Sequence, residues 1–308
     1  MIPALLVFWV ISAIFLIWER RVVRLIILLG IYSLITTVCF FLLAAPDVAM
    51  AEAVVSAFST ILFIVCFEKY YSMVAPARPK EVKRKKDRKL IPLCFTVLLA
   101  ALFIWGISDL PPVTYLKDRY IELFASEIGG ENAVTAIYLG YRMYDTVYET
   151  LMLLVSIVAV AHLSRYEDMA VTKEVPSGAS SSSIAGVTIR VICPILLLVS
   201  IYLVANGHIS PGGGFHGGVV AAAFFVCRYM VYGITDMRVE KAIVMEKIVY
   251  LVIISFVVYF IVLGAHSYLP IPKTIYLTIV NLLLGIKVAC GFFIVFYRFI
   301  AFERRVDQ

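Results

Sequence analysis

Nine stretches of this chain stay predominantly apolar for 17 to 24 residues, and this constrains its fold more than any other feature. A helix of about 20 residues crosses the hydrocarbon core of a bilayer. The runs lie at 2–18, 24–44, 48–67, 91–107, 145–163, 187–205, 217–233, 243–264 and 274–297. They predict an all-α membrane protein with about nine transmembrane helices. Composition agrees: 62% of the 308 residues are hydrophobic, 16% are charged and the mean hydropathy is +0.97. A soluble domain runs near 45–50% apolar and about 25% charged, so a soluble cytoplasmic enzyme is excluded. The net charge of +6 is concentrated in short segments between apolar runs. That is membrane topology, and it excludes nucleic-acid recognition as the main task.

The basic residues also predict orientation. With the N-terminus outside, 22 of the 27 lysines and arginines fall in inner segments. Four (Lys117, Arg119, Arg142 and Lys273) fall in outer ones, and Lys287 alone lies deep within a span, away from its ends. The positive-inside rule then gives N-terminus outside and C-terminus inside. The N-terminus is apolar from Ile2, with no basic region and no small-residue cleavage site, so a retained first span is expected and not a signal peptide.

Two inner segments read as seams. Residues 76–90, APARPKEVKRKKDRK, are basic and proline-punctuated, and suit a topogenic loop or a contact with lipid headgroups or a partner. Residues 172–186 form a serine-rich, flexible linker. They divide the chain into a three-helix module (1–75), a two-helix module (91–171) and a four-helix domain (187–308). The six cysteines are scattered through apolar runs without a CxxC pair, so neither a metal site nor a disulfide frame is expected.

Ionisable groups inside spans cost at least about 2.5–3.5 kcal/mol near the bilayer centre, so each needs a reason. Asp47 follows Pro46 at the turn between the second and third spans, where it suits a helix N-cap. Glu52 lies about 7–8 Å further along the helix, which points to a functional or interhelical role. Asp145 and Glu149, four apart, share a helix face at the entry to the fifth span. Two ionised carboxylates there repel, so one is protonated, holds a cation or pairs with a base such as Arg142. Residues 206–218, NGHISPGGGFHGG, hold Gly212, Gly213, Gly214, Gly217 and Gly218. This segment either presents carbonyls and amides to an ion or forms a tight turn with close helix packing. His208 and His216 are poorly spaced for metal. Lys287 lies fourteen residues, about 21 Å, beyond Lys273, too deep to snorkel easily. It marks either a functional site or a salt bridge to a partner chain. The acids and the glycine segment fall on the outer half, and no group is evident for the inner half of an ion route.

The segment Asn206 to Ala221 resembles the signature of the MnhB-like subunit of Mrp-type sodium/proton antiporters, and Asn281 to Val288 is similar to that family's last-helix pattern, lysine included. The block APDVAMAEA at 45–53 resembles a module near the end of the antiporter's large A-type subunit. Asn132-Ala133-Val134 with Tyr144 to Glu149 resembles the next module of the same large subunit. In membrane-bound hydrogenases and their sulfur-reducing relatives these three modules occur as separate small membrane proteins; here they look fused. His216 stands where the family commonly has glutamine, and Tyr144 and Tyr148 depart from the second module's usual entry. His216 can therefore add a proton group or merely replace an amide.

The resemblance implies a multi-pass subunit of the cytoplasmic (inner) membrane, within an Mrp-type cation/proton antiporter module of a complex I-related respiratory complex. It implies Na+ translocation coupled to H+ movement, with Glu52, Asp145 and Glu149 as cation or proton groups and Lys287 as their charge partner. Asp47 and His216 follow them in rank. The expected partners are an antiporter-like large membrane subunit, the other small Mrp-type subunits, peripheral redox subunits and membrane lipid, but not nucleic acid. The chain is expected to carry no cofactor, with any iron–sulfur or nickel–iron centres on partner subunits. The alternative is a scaffold that joins the antiporter-like subunit to a redox arm without conducting ions.

Overall fold

The computed structural model describes residues 2–73, 97–99, 101–102, 114–163, 184–232, 239–262 and 272–302. All regular structure among them is helical, as expected where lipid leaves the backbone to satisfy its own hydrogen bonds. The helices are α1 (Ile2–Trp18), α2 (Val22–Leu42), α3 (Pro46–Met73), α4 (Thr114–Glu127), the single turn α5 (Ala133–Ala136), α6 (Met143–Leu163), α7 (Ile184–Ala205), α8 (Gly214–Tyr232), α9 (Val239–Val262) and α10 (Lys273–Phe302). A π-helical turn, Ile137–Tyr141, joins α5 to α6.

Eight of the nine apolar runs coincide with described helices. The run 91–107 lies mostly outside the described residues, as do the basic segment 76–90 and residues 172–183 of the serine-rich one. Among the described residues, six helices are long and apolar enough to cross a membrane, and two shorter apolar ones, Leu5–Trp18 and Gly214–Arg228, accompany them. The charged helix α4 was not foreseen. It lacks an apolar run and is held by Tyr141 Oη donating to Glu127 at 2.6 Å and by Tyr120 stacked on Tyr141.

The central element is α10. Its membrane-length window is 67% buried, against 17–28% for the other five long helices. It packs against α3, α6, α7, α8 and α9. One core cluster joins Leu139 and Met143 to Ile253 of α9 and Leu277, Val280 and Leu284 of α10. A second joins Phe58 and Leu62 of α3 to Val219 and Val226 of α8 and Val288 and Phe296 of α10. Lipid tails are as apolar as these side chains, so close fit and polar contacts hold the helices together. At Gly218 of α8 an added Cβ would lie 2.7 Å from the Gly285 carbonyl oxygen and the Val288 Cβ of α10. The glycine there sets how near the two backbones come.

The turn between α2 and α3 fixes the first candidate residues. Ala44 adopts φ 58°, and the Ala45 and Ala44 amides donate to the Phe40 and Phe41 carbonyls, a Schellman closure of α2. Pro46 then opens α3, where its missing N–H costs nothing. The chain reverses within three residues and places Asp47 in the first turn of α3.

Candidate functional site

Asp47, Asn132, the glycine segment and Asn281 meet in one buried polar junction. Asp47, 8% exposed, does not act as the expected cap of its own helix. Its Oδ1 accepts from Asn132 Nδ2 at 3.1 Å and from the Gly212 amide at 3.3 Å. Its backbone carbonyl faces His216 Nε2 at 3.1 Å. A carbonyl accepts only, so Nε2 carries the proton in this contact. Asn132 is the N-cap of α5, accepting from the Val134 amide at 2.9 Å, while its Nδ2 also donates to the Ser210 carbonyl at 3.0 Å. Thr135 Oγ1 donates to the Gly207 carbonyl at 2.6 Å. The His208 carbonyl accepts from the amides of Glu131 and Asn132 at 2.8 and 3.1 Å.

The far side of the junction is Asn281 of α10, fully buried. Its Oδ1 accepts from Tyr138 Oη and from the Gly214 amide, both at 3.1 Å. Burial pushes the Tyr138 hydroxyl up to about 12, with the Asp47 and Glu149 carboxylates adding to the rise. The phenol therefore stays protonated at physiological pH and serves as a donor. Gly213 explains why this segment is glycine: its φ is 112°, and a Cβ there would run into the Tyr138 hydroxyl. Residues 206–218 form a tight turn in which Thr135 and Asn132 engage the Gly207 and Ser210 carbonyls, Glu131 and Asn132 the His208 carbonyl, and Asp47 the Gly212 amide. The π-turn beside it frees the Tyr138 carbonyl, which Thr146 Oγ1 engages at 2.6 Å.

The remaining candidates do not converge on this junction, and among the described residues no hydrogen bond or ion pair joins them to one another. Glu52 is half-buried and accepts from Ser33 Oγ of α2. Asp145 pairs with Arg142, the local option, with both side chains more than half exposed. Glu149 is exposed on the same stretch of α6. Lys287 is fully buried and pairs with Glu246 of α9, itself 1% exposed. Of the two readings of Lys287, the salt bridge exists, but within this chain and not to a partner chain. Its ammonium also sits 4.7 Å from the centroid of the Tyr250 ring. Among the described residues no group of three or more His, Cys, Asp or Glu is placed to hold a metal.

Sequence reasoning missed Glu246, Thr135 and Tyr138. Glu246 had a usable signal: Glu246, Val249, Ile253 and Val257 recur at helical spacing and are all buried, whereas the flanking Lys241 and Lys247 are exposed. No local signal marks Asn132 as the partner of Asp47, because 85 residues separate them.

Two family models match the chain. Residues 184–303 match a domain related to the MnhB subunit of the Na+/H+ antiporter, and residues 7–71 match MbhD, one of the subunits of MBH. The mnhA2 antiporter subunits of Staphylococcus aureus are 31% identical over 157 residues, which is 50% of this chain and 19% of the relative. The chain therefore spans about a fifth of the length of these curated relatives. The fold is similar to that of the Mrp complex from Dietzia sp. DQ12-45-1b, with a TM-score of 0.73 at 17% identity, over 96% of this chain and 34% of that one. It is also similar to the membrane-bound sulfane sulfur reductase, an archaeal respiratory membrane complex. That match has a TM-score of 0.55 at 22% identity, over 68% of this chain and 96% of that one. Fold and matches together define an all-helical, multi-pass membrane protein. The chain is a fused Mrp-type subunit, with an MbhD module ahead of an MnhB-related domain.

Proposed function

We propose that this subunit carries part of a sodium route coupled to proton movement, in a complex embedded in the cytoplasmic membrane. The observation that carries the reading is the junction itself. Motif residues from three modules (Asp47, Asn132 and His216) meet there, while Glu52 and Glu149 stand further along α3 and α6, outside its hydrogen bonds. Nine crossings, an outer N-terminus and an inner C-terminus set this end of the bundle toward the outside, in line with the charge asymmetry. The modules are 1–75, 91–171 and 187–308, joined by the basic and serine-rich segments.

In this reading a cation entering from outside is first met by Glu149 and Glu52. Each is partly open, and among the described residues neither is held in an ion pair. Ser33 orients Glu52 by donating to it, leaving the carboxylate's other lone pairs for the cation. Tyr138, protonated and bonded to Asn281, offers a hydroxyl between the Glu149 side and α10. Lys287 supplies the fixed positive charge against which a cation is released. Asp47 and His216 hold the junction together, and His216 stands in for an amide. The exposed carboxylates of α6 are costly against lipid, so a neighbouring antiporter-like or small Mrp-type subunit covers that face. Redox centres, where the parent complex has them, belong to peripheral partners.

A second reading, a scaffold without conduction, is favoured by the dense hydrogen bonding of the junction. Sodium-22 uptake by proteoliposomes of the assembled complex decides between them. Glu52→Gln and Glu149→Gln each lower uptake by about tenfold or more at equal assembly if the chain conducts, a barrier change near 1.4 kcal/mol. Unchanged uptake in both assigns the chain to the scaffold.

A further inference from the structure

The buried pair on α9 and α10 joins Lys287, which the sequence singled out, to Glu246, which it did not. The first turns of α3 and α8, with the segment leading into α6, gather at the junction around Asn281. Lys287 lies six residues further along α10, about 9 Å deeper. Helix α9 starts from the opposite end, since it follows α8 through a short connection. Glu246, seven residues into it, is about 10 Å from that end. Of the described carboxylates already assigned, Asp47 and Asp145 lie toward the junction, while Glu52 and Glu149 stand at about the level of Lys287, since Phe58 of α3 meets Phe292 and Leu153 of α6 meets Gly291.

Three features separate this pair from a plain structural bridge. Both side chains are enclosed, at 0% and 1% exposure. Such pairs seldom stabilise better than apolar residues of the same shape would, so their presence calls for another reason. The third feature is Tyr250, one helical turn beyond Glu246, whose ring faces the Lys287 ammonium at 4.7 Å. The ammonium therefore keeps a partner when the carboxylate is taken by something else.

We propose that Glu246 is a further, enclosed ion-binding carboxylate of this subunit, and that Lys287 is its exchangeable counter-ion. A cation arriving from the junction binds the Glu246 carboxylate in place of the ammonium, which stays against the Tyr250 ring. The ammonium returns when the cation leaves toward the inner side. One positive charge enters and one leaves, and the pair is neutral before and after. The inference rests on the ion-route reading above and extends it with a residue outside both family motifs.

The test uses the assembled complex in proteoliposomes and sodium-22 uptake. The neutral pair Glu246→Gln with Lys287→Met removes both charges and leaves neither unpaired. If Glu246 binds the ion, this double variant assembles and uptake falls by about tenfold or more, as loss of a group from the rate-limiting step does. An assembled double variant with unchanged uptake overturns the inference. Where it fails to assemble, Glu246→Asp decides, since it keeps both charges and draws back only the carboxylate. A KM for sodium raised at equal assembly supports the inference. An unchanged KM for sodium overturns it. Loss of uptake in Glu52→Gln and Glu149→Gln but not in the double variant removes this inference alone. Unchanged uptake in all of them removes the ion-route reading beneath it.

Discussion

Helices α6 and α10 both carry charge within membrane-length segments, and they treat it in opposite ways. On α10, Lys287 is enclosed and paired with Glu246 inside the same chain. On α6, Asp145 and Glu149 stay exposed, and Asp145 finds only a local arginine. The difference follows from position in the bundle. Five helices surround α10, so it must satisfy its own charge. Helix α6 lies at the periphery, touching α9 and α10 along one side, and leaves its acidic stripe for whatever packs next. The chain thus separates charges it encloses and pairs from charges it leaves open on an outer face.

The largest effect that sharpens this contrast is expected from Lys287→Met. It strands Glu246 in an enclosed site, which costs about 3–5 kcal/mol when one partner of a buried pair is removed. Complex yield and the thermal midpoint in mild detergent should both fall, and a midpoint near wild type would break the comparison. Gly213→Val comes next, because it combines a positive φ with a clash at the Tyr138 hydroxyl. Backbone strain of that kind costs about 1–3 kcal/mol, readable in the same melting experiment. Asn132→Ala removes a helix cap and leaves Asp47 short of a donor, again about 1–3 kcal/mol. Its signature is a lowered midpoint with earlier proteolysis around residues 129–142. Asp145→Asn is the smallest, below about 1 kcal/mol for an exposed pair. A midpoint drop as large as that of Lys287→Met would mean that the α6 charges are not open.

Much of this architecture is legible in the sequence because lipid imposes length. Runs such as 24–44 and 274–297 coincide with α2 and α10 for that reason alone. Lys287 was singled out by depth, since fourteen helical residues separate it from Lys273. Its partner escaped notice because Glu246 follows the charged opening of α9, where Glu240, Lys241 and Lys247 read as an interfacial segment. The glycine segment announced a break but not its purpose. Only the spatial approach of Tyr138 and Asn281 shows that Gly213 clears space for a hydroxyl. Asp47 illustrates the limit most clearly: local rules make it a cap, while tertiary contacts across 85 and 165 residues make it a fastener between modules.

The most direct test of the division between self-paired and open charges is photo-crosslinking from position 148. Tyr148 is 64% exposed, between Asp145 and Glu149 on α6. Replaced by benzoylphenylalanine in native membranes and irradiated, it should join this chain to another membrane subunit, identifiable by mass spectrometry as antiporter-like or small Mrp-type. Crosslinks to lipid alone, in a complex shown to be intact, would contradict the claim that assembly completes the α6 face.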